Sequence, residues 1–581
     1  MDIIKHPKTA GIAVAVVMAI IIATGNTRGI NTAVSRLYLI GMATGFGFGI
    51  GWFLSPLAST ARRAILYVVG ALILLVALGG RSGIGWSAAT LLALVGFCIG
   101  IGHWLGKASR GFFQKPTTFG SAEWADEPYL REHDIIGDKG IRLGGFATKD
   151  GIVPLHYDGD RHLLTVAPTR AGKGTTLIIP NLLTYRGSTL VIDPKGENAM
   201  ITADQRRAMG QDVHVVDPYG IASRAGSSSR FNPLDWLVMG DPDITENAML
   251  LADALVVPSG KGDSFWDEEA KALLQGLILY VATDEAERDN RHLGRVRDLL
   301  LLDGDGLPEL FQRMYGSMHH IVSSTGARCL QKDEKLLSNV LASAQAQTHF
   351  LDSARIRASL SASDFKFEDL KSTKTTIYLV LPADRLNTFG RWLRLLIQQA
   401  ITVNARNIET RPDKSILFVL DEMPALGRLT MVEQAYSLMA GFGMQLWGIV
   451  QDCSQLKRIY GESWQGFVAN SGCVTYAGSR DKESAEYFSA LCGVTTVWNL
   501  STAIASSFGS SGNNSNSSTS NTTTTAVVQR KLAYPDELMR LNSARALVLI
   551  DNLHPIQEVK QAWFTDDTLK NLGVNLHEIA Q

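Results

Sequence analysis

The sequence has few cysteines and no excess of charge of either sign. Its 581 residues include five cysteines, whose scatter argues against a disulfide framework and a structural zinc site. We therefore expect reduced, buried thiols in a cytosolic setting. The formal net charge is −1, so overall basicity does not indicate a nucleic-acid partner. Contact with DNA would need a local patch or an oligomeric channel. The cysteines are Cys98, Cys329, Cys453, Cys473 and Cys492.

Apolar residues are concentrated before residue 106, where four segments lack acidic and basic side chains. A membrane-spanning helix needs about 20 apolar residues, within a range of about 17–25. The second and fourth segments reach that length, and the other two are shorter. A cleaved signal peptide is the alternative interpretation of the first. We expect an integral membrane anchor over residues 1–115, with four spans rather than two. The segments are Thr9–Thr24, Leu37–Leu57, Ala64–Leu78 and Trp86–Leu105.

Lysine and arginine flank these segments unevenly. With four spans, the side that carries the rest of the chain holds seven of them and the other side holds three. This bias predicts a cytoplasmic N-terminus and a cytoplasmic body. The glycine stripes Gly41-x-x-x-Gly45-x-x-x-Gly49 and Gly96-x-x-x-Gly100 allow helices to approach closely, either inside one subunit or between two.

After residue 115 short β-rich runs alternate with helical stretches, which predicts an α/β domain with a largely parallel sheet. We expect this domain to comprise residues 116–242 and 351–581, interrupted by an all-α domain at 243–350. Residues 501–525 are mostly Ser, Thr, Asn and Gly, and we expect a flexible loop there. The predicted strands are His162–Val166, Thr189–Ile192, Val213–Val216, Thr376–Leu381, Ile416–Leu420, Leu446–Val450, Cys473–Tyr476 and Ala546–Ile550.

The strongest motif is A-P-T-R-A-G-K-G-T at residues 167–175, directly after a predicted strand. A glycine-rich loop between a strand and a helix holds phosphates with its backbone N–H groups and a lysine. The motif departs from the usual pattern at two positions. Ala167 replaces a glycine, and Gly174 replaces the hydroxyl residue that ligates Mg²⁺, so either Thr175 or Thr176 would supply the hydroxyl or water would fill the position. The predicted nucleotide-binding residues are Thr169, Arg170, Ala171, Gly172, Lys173, Gly174 and Thr175.

A second motif supplies carboxylates. The apolar run Ile416–Leu420 ends in Asp421 and Glu422. Asp421 would hold Mg²⁺ together with Thr175, and Glu422 would polarise the attacking water. Gln451 ends another predicted strand, and its amide would sense the γ-phosphate or position water. With Lys173, Glu422 and Gln451 as catalytic residues, the sequence predicts an enzyme that binds and hydrolyses ATP.

Motifs spread over most of the chain resemble those of the type IV secretion coupling proteins (the TraG/TraD family of conjugative ATPases). The resemblance includes the G-K-G departure in the phosphate loop. It also extends to segments that the nucleotide site does not explain. The matching motifs are A-P-T-R-A-G-K-G-T at 167–175, D-P-K-G-E at 193–197, F-N-P-L at 231–234, F-W-D-E-E-A-K at 265–271, L-P-A-D-R-L at 381–386, L-D-E-M-P-A-L-G at 420–427, Q-D-C-S-Q-L at 451–456 and Y-P-D-E-L at 534–538.

The resemblance implies a RecA-like P-loop core with an inserted all-α domain, anchored in the bacterial inner membrane with its ATPase body in the cytoplasm. It implies a homo-hexamer that recruits relaxase-bound DNA or effector proteins and delivers them to inner-membrane components of a secretion channel. It places the D-P-K-G-E segment beside the nucleotide and implies an arginine acting from the neighbouring subunit, for which Arg428, Arg458 and Arg480 are candidates. A septal-type DNA translocase and a non-hydrolysing docking receptor are the alternatives. DNA cargo and protein cargo both stay open.

Overall fold

The computed structural model describes residues 33–54, 95–106, 117–257, 264–511 and 514–576. The chain divides into two compact units. The first comprises residues 1–121 and 496–529, and the second comprises residues 122–495 and 530–581.

The second unit is built on an eleven-stranded sheet of order β2-β1-β13-β12-β9-β3-β8-β7-β4-β6-β5. The strands from β9 to β5 in that order are parallel, and β12, β13, β1 and β2 continue the sheet in antiparallel pairs. The bounds are β1 Ile141–Thr148, β2 Gly151–Tyr157, β3 His162–Val166, β4 Thr189–Asp193, β5 Asp212–Val216, β6 Thr375–Val380, β7 Ile416–Leu420, β8 Met444–Val450, β9 Ser471–Tyr476, β12 Arg545–Ile550 and β13 Ile556–Val559.

The central parallel strands are buried and mostly apolar, because helices cover both faces of the sheet. Every residue of β3, β4, β6, β7, β8 and β9 is buried. Parallel sheets of this kind bind ligands at the carboxyl ends of their strands. The eight strands predicted from sequence are all present, and the prediction of a largely parallel α/β sheet is confirmed.

Helices surround this sheet and fill the connection between β5 and β6. In its described residues that connection contains the helices from Ile244–Leu255 to Asp369–Ser372, and its apolar residues share one core with Leu190 and Ile192 of β4. The helical block therefore packs directly on the sheet within one compact unit. The helices of the second unit are Glu127–Glu132, Ile179–Thr184, Glu197–Ala208, Ile244–Leu255, Ser264–Thr283, Leu293–Leu300, Gly306–Tyr315, His320–Gln331, Glu334–Thr348, Ala354–Ser359, Asp369–Ser372, Leu386–Arg406, Thr430–Leu438, Cys453–Tyr460, Gln465–Ala469, Lys482–Leu491 and Pro535–Met539.

Where the sequence predicts a loop at 501–525, the structure has a two-stranded ribbon of β10 (Val494–Ser511) and β11 (Asn514–Lys531). A polar segment cannot form a core of its own, but paired strands satisfy their backbone groups without one. The segment is also rich in threonine, which favours strands. The low hydrophobicity that indicated a loop therefore does not exclude strand pairing.

The first unit contains a 22-residue helix, Ala33–Leu54, and a second helix over residues 95–106. The two helices approach closely, because a Cβ at Gly47, Gly51 or Gly102 would collide with the backbone of the other helix. These glycines are not those of the predicted stripes. Residues two positions apart lie about 200° apart around a helix, so the contact uses the opposite face.

No helix in the described parts of the chain combines the length and hydrophobicity that crossing a bilayer requires. The helix Ala33–Leu54 covers most of the second predicted segment. The first and third predicted segments, and the beginning of the fourth, lie outside the described residues. The membrane anchor, its number of spans and its orientation stay predictions.

Candidate functional site

The phosphate-loop motif forms a tight turn between β3 and the following helix. Arg170 has φ of 64° and Gly172 has φ of 87°, so two residues of the loop adopt left-handed backbone conformations. The Thr176 N–H donates to the Gly172 carbonyl at 2.9 Å, which begins the helix. Its first turn, Gly174–Ile178, is a π turn that continues into Ile179–Thr184. The motif therefore has the strand-turn-helix context that a phosphate-binding loop requires.

Lys173 lies between the two carboxylates that end β7. Its Nζ is 2.7 Å from Asp421 Oδ1 and 3.5 Å from Glu422 Oε2. Burial by itself would lower the pKa of Lys173, but both carboxylates outweigh it and hold the pKa above its usual value. A charged ammonium group and two carboxylates thus meet at one point, although Lys173 is far from Asp421 and Glu422 in sequence.

Glu422 is held in a strained conformation by its neighbours. Its φ of 63° lies in the left-handed region, which costs a residue other than glycine about 1–3 kcal/mol. Its Oε1 accepts a hydrogen bond from Gln451 Nε2 at 2.9 Å. The Gln451 backbone N–H in turn donates to Gln455 Oε1 at 3.0 Å. Backbone strain that persists against such a cost is typical of functional residues.

The two candidate threonine hydroxyls both hydrogen-bond to the loop. Thr175 Oγ1 and Thr176 Oγ1 donate to the Gly172 carbonyl at 3.1 and 3.0 Å. Thr176 is buried, whereas Thr175 lines the cleft described below. Of the two hydroxyls, that of Thr175 therefore lies on the side of the cleft, and its role as a metal ligand stays a prediction.

The residues present fit Mg²⁺. Asp421 Oδ1 is buried and makes no well-aligned hydrogen bond, so Lys173 is its ionic partner. Among the described residues no cluster of three metal-ligating side chains exists. Mg²⁺ commonly uses one or two protein ligands and takes the rest from water and phosphates. Asp421 with the Thr175 hydroxyl provides such a partial shell.

A cleft of about 690 Å³ contains this cluster, a size typical of small-molecule sites. Of the predicted site residues only Ala171 does not line it. Ala171 lies in the loop, but its carbonyl accepts a hydrogen bond from Lys560 instead. The predicted residues that line the cleft are Thr169, Arg170, Gly172, Lys173, Gly174, Thr175, Asp421, Glu422 and Gln451.

Asp193 also lines the cleft; the family resemblance placed its D-P-K-G-E segment beside the nucleotide, but sequence analysis gave Asp193 itself no role. It ends β4, which pairs with β7 in a register that places Ile192 beside Leu420. Asp193 and Asp421 are therefore neighbours on adjacent strands. Burial raises the pKa of Asp193 to about 7; backbone hydrogen bonds, among them one from the Ala199 N–H, oppose this rise, and the charge of Asp421 adds to it. Knowing that β4 pairs with β7 would have placed Asp193 beside Asp421. The sequence alone does not reveal that pairing.

Lys195 and Glu197 line the same cleft, as expected for the D-P-K-G-E segment. Arg458 also lines it, on the helix that follows Gln451. Arg458 is thus a group of the chain's own cleft, which does not favour it as the arginine supplied by a neighbour. That role stays a prediction for Arg428, Arg458 and Arg480.

Comparison with known proteins agrees with this geometry. Residues 114–579 match the family described as "Type IV secretory system Conjugative DNA transfer". The chain belongs to this family. It is therefore a member of the type IV coupling proteins, as the sequence motifs predicted.

Two relatives illustrate the extent of the match. The conjugal transfer protein TraG of Escherichia coli is 28% identical over 461 residues, covering 73% of this chain and 71% of that protein. Protein VirD4 of Rhizobium radiobacter is 29% identical over 417 residues, covering 71% of this chain and 58% of that protein. The chain thus aligns with less than two thirds of this VirD4.

Solved structures of the plasmid coupling protein TrwB share the fold. TrwB in complex with the non-hydrolysable ATP analogue ADPNP superposes with a TM-score of 0.57 at 17% identity, covering 77% of this chain and 95% of that one. TrwB in complex with ADP and Mg²⁺ gives the same values. At this identity the likeness shows the fold, a mixed α/β core of the coupling-protein type.

Proposed function

We propose that this protein is a membrane-anchored ATPase that delivers DNA-relaxase complexes or effector proteins to a type IV secretion channel. The observation that carries the proposal is the contact of Lys173 with Asp421 and Glu422, with Gln451 bonded to Glu422, in one cleft. These are the groups that ATP hydrolysis needs. Membership of the DNA-transfer family supports the cargo.

Each residue has a defined task in the proposed reaction. The loop N–H groups and Lys173 bind the β- and γ-phosphates, so the ammonium group exchanges carboxylate partners for phosphate oxygens. Asp421 and Thr175 hold Mg²⁺, which would neutralise developing charge on the phosphates. Glu422 polarises the attacking water, and Gln451 keeps its carboxylate in position.

The rest of the proposal concerns location and assembly. The apolar segments before residue 106 and their positively charged flanks support an anchor in the bacterial inner membrane with a cytoplasmic ATPase body. We propose a homo-hexamer that works beside inner-membrane components of the channel. DNA would be held through its phosphates without base preference.

The deciding experiment measures ATP turnover by the purified protein with and without DNA. We expect DNA to stimulate turnover, and Lys173→Ala to abolish it because the phosphates lose their cation. The matched control is Lys195→Ala. Lys195 lines the same cleft, but its side chain is 70% exposed, and we expect turnover within about threefold of wild type.

Three other outcomes would change the proposal. If the rate of ATP turnover is the same with and without DNA, protein cargo is favoured. Tight ATP binding without turnover would favour a docking receptor. Equal loss in the Lys173 and Lys195 variants would remove the special role assigned to the loop lysine.

A further inference from the structure

A lysine outside the cleft contacts the phosphate loop from behind. Lys560 directly follows β13, and its backbone N–H donates to the Ala544 carbonyl at 2.8 Å. Its Nζ donates to the Ala171 carbonyl at 3.1 Å and lies 3.5 Å from the Ala477 carbonyl. Lys560 does not line the cleft. One side chain therefore connects the C-terminal strand, the end of β9 and the loop.

This contact determines how one peptide group of the loop is oriented. In a planar trans peptide, the carbonyl of one residue and the N–H of the next point in opposite directions. A cation that holds the Ala171 carbonyl on the outside therefore directs the Gly172 N–H toward the opposite, cleft side. Gly172 lines the cleft, and its φ of 87° lies in the left-handed region of backbone conformations. The charge on Nζ also polarises the peptide and makes its N–H a stronger donor.

A buried carboxylate stands beside this lysine. Glu558 lies on β13 two residues before Lys560, a spacing that puts side chains of an extended chain on the same face. Glu558 has no exposed surface, and neither of its carboxylate oxygens has a hydrogen-bond partner among the described residues. It packs against Gly144 of β1, where a Cβ would collide with the carboxylate.

A carboxylate without hydrogen bonds is costly to bury, so its charge needs a local partner. The titratable groups that face Glu558 are Lys560 on its own strand and the Cys473 thiol on β9. Burial raises the pKa of Glu558 to about 8, and the charge of Lys560 opposes the rise. Burial lowers the pKa of Lys560, and the neighbouring Glu558 opposes that fall when its carboxyl group is ionised.

We propose that Lys560 is a positioning residue for the phosphate loop. Lys560 holds the Ala171 carbonyl outward so that the Gly172 N–H faces the bound phosphates. The inference rests on the proposed nucleotide site but not on hydrolysis.

The test is calorimetric binding of ADP with Mg²⁺ to the full chain. Lys560→Met keeps the apolar stem and removes the charge and the donor. We expect affinity to fall about tenfold, because a hydrogen bond to a charged group is worth about that factor. Lys560→Arg keeps a charged donor and should recover most of the affinity. The control is Lys570→Met. Lys570 pairs with Asp567 on the surface, and we expect this variant to bind ADP as tightly as wild type does.

Several results would overturn the inference. One is unchanged ADP affinity in Lys560→Met. Another is an equal loss of affinity in Lys560→Met and Lys560→Arg, because that result would indicate that the side chain contributes only packing. If Lys560→Met fails to fold, the double variant with Glu558→Gln removes both buried charges, and wild-type affinity in that variant would sink the proposal. If the wild-type protein binds ADP but does not hydrolyse ATP, the proposed ATPase function is wrong and this binding test is still valid. A chain that binds no nucleotide would overturn both.

Discussion

Replacing Glu422 by glutamine separates the chemistry of this carboxylate from its structural role. Gln451 Nε2 donates to Glu422 Oε1 at 2.9 Å, and the amide oxygen of the new side chain can accept the same hydrogen bond. The contact that is lost is the weaker one, 3.5 Å from Lys173. Lys173 keeps Asp421 at 2.7 Å. The Glu422→Gln variant should therefore fold and retain its cleft.

The expected effect is on turnover and not on binding. A positioned general base contributes about 10²–10⁴ to a rate, so we expect kcat of Glu422→Gln to fall at least about a hundredfold. ATP affinity should be equal or tighter, because a negative charge beside the phosphates is removed. Steady-state turnover and the Kd for ATP, measured on the same preparation, check both statements. Glu197→Gln is the control, since Glu197 lines the same cleft with a 53% exposed side chain, and we expect a change within about threefold.

Two results would refute the reasoning. If kcat stays within tenfold of wild type, Glu422 does not polarise the attacking water. If ATP affinity falls in step with kcat, the variant has disturbed the strained backbone at φ of 63°, and the carboxylate serves structure instead. A comparable loss in Glu197→Gln would show that the cleft responds to any removed charge.

Two further predictions concern the scaffold. Arg206 is fully buried and donates to five acceptors, among them Thr376 Oγ1 and Gln211 Oε1. A buried acceptor left without a donor costs about 1–3 kcal/mol, and some of these five acceptors have other donors. We therefore expect Arg206→Met to lower the free energy of unfolding by about 3–5 kcal/mol. Thermal unfolding checks this, with the exposed neighbour Arg207→Met as a nearly neutral control. Glu558 has a pKa of about 8 in the folded protein against an ordinary 4.5. The folded state therefore holds a proton that the unfolded state releases, and this stabilisation is lost as pH rises from 4.5 through 8. Between pH 6 and 9 the melting temperature of Glu558→Gln should fall less than that of wild type; parallel curves would contradict the assignment.

The parallel core and the nucleotide site were predictable because both depend on local sequence. Apolar runs such as Ile416–Leu420 are fully buried strands, and a buried parallel strand must be apolar on both faces. The polar residues that end these runs meet at one edge of the sheet. Sequence analysis could therefore place Lys173, Glu422 and Gln451 together without knowing the strand order, and they line one cleft; their catalytic roles stay predictions.

The remaining elements were missed for physical reasons. β1 contains Gly144 and Gly145, and β2 contains Pro154, which are poor strand formers acceptable near a sheet margin. The ribbon of β10 and β11 lacks an apolar pattern along most of its length. Glu558 lies in a four-residue strand and Lys560 directly follows it, and the burial of both depends on contacts with distant segments. Periodicity does not encode such contacts.

A repeated turn shows why topology decides function here. Asp193-Pro-Lys-Gly and Asp217-Pro-Tyr-Gly follow β4 and β5, and in both turns the aspartate accepts backbone N–H groups while the glycine has φ near 71°. The local chemistry of the two turns is the same. β4, however, pairs with β7, whereas β5 is at the edge of the sheet and pairs with β6. Only the first turn therefore lies beside Asp421 in the cleft. The same Asp-Pro-x-Gly turn lines the proposed nucleotide site after β4 and lies at the edge of the sheet after β5. The difference arises because strand order determines which carboxylates are neighbours.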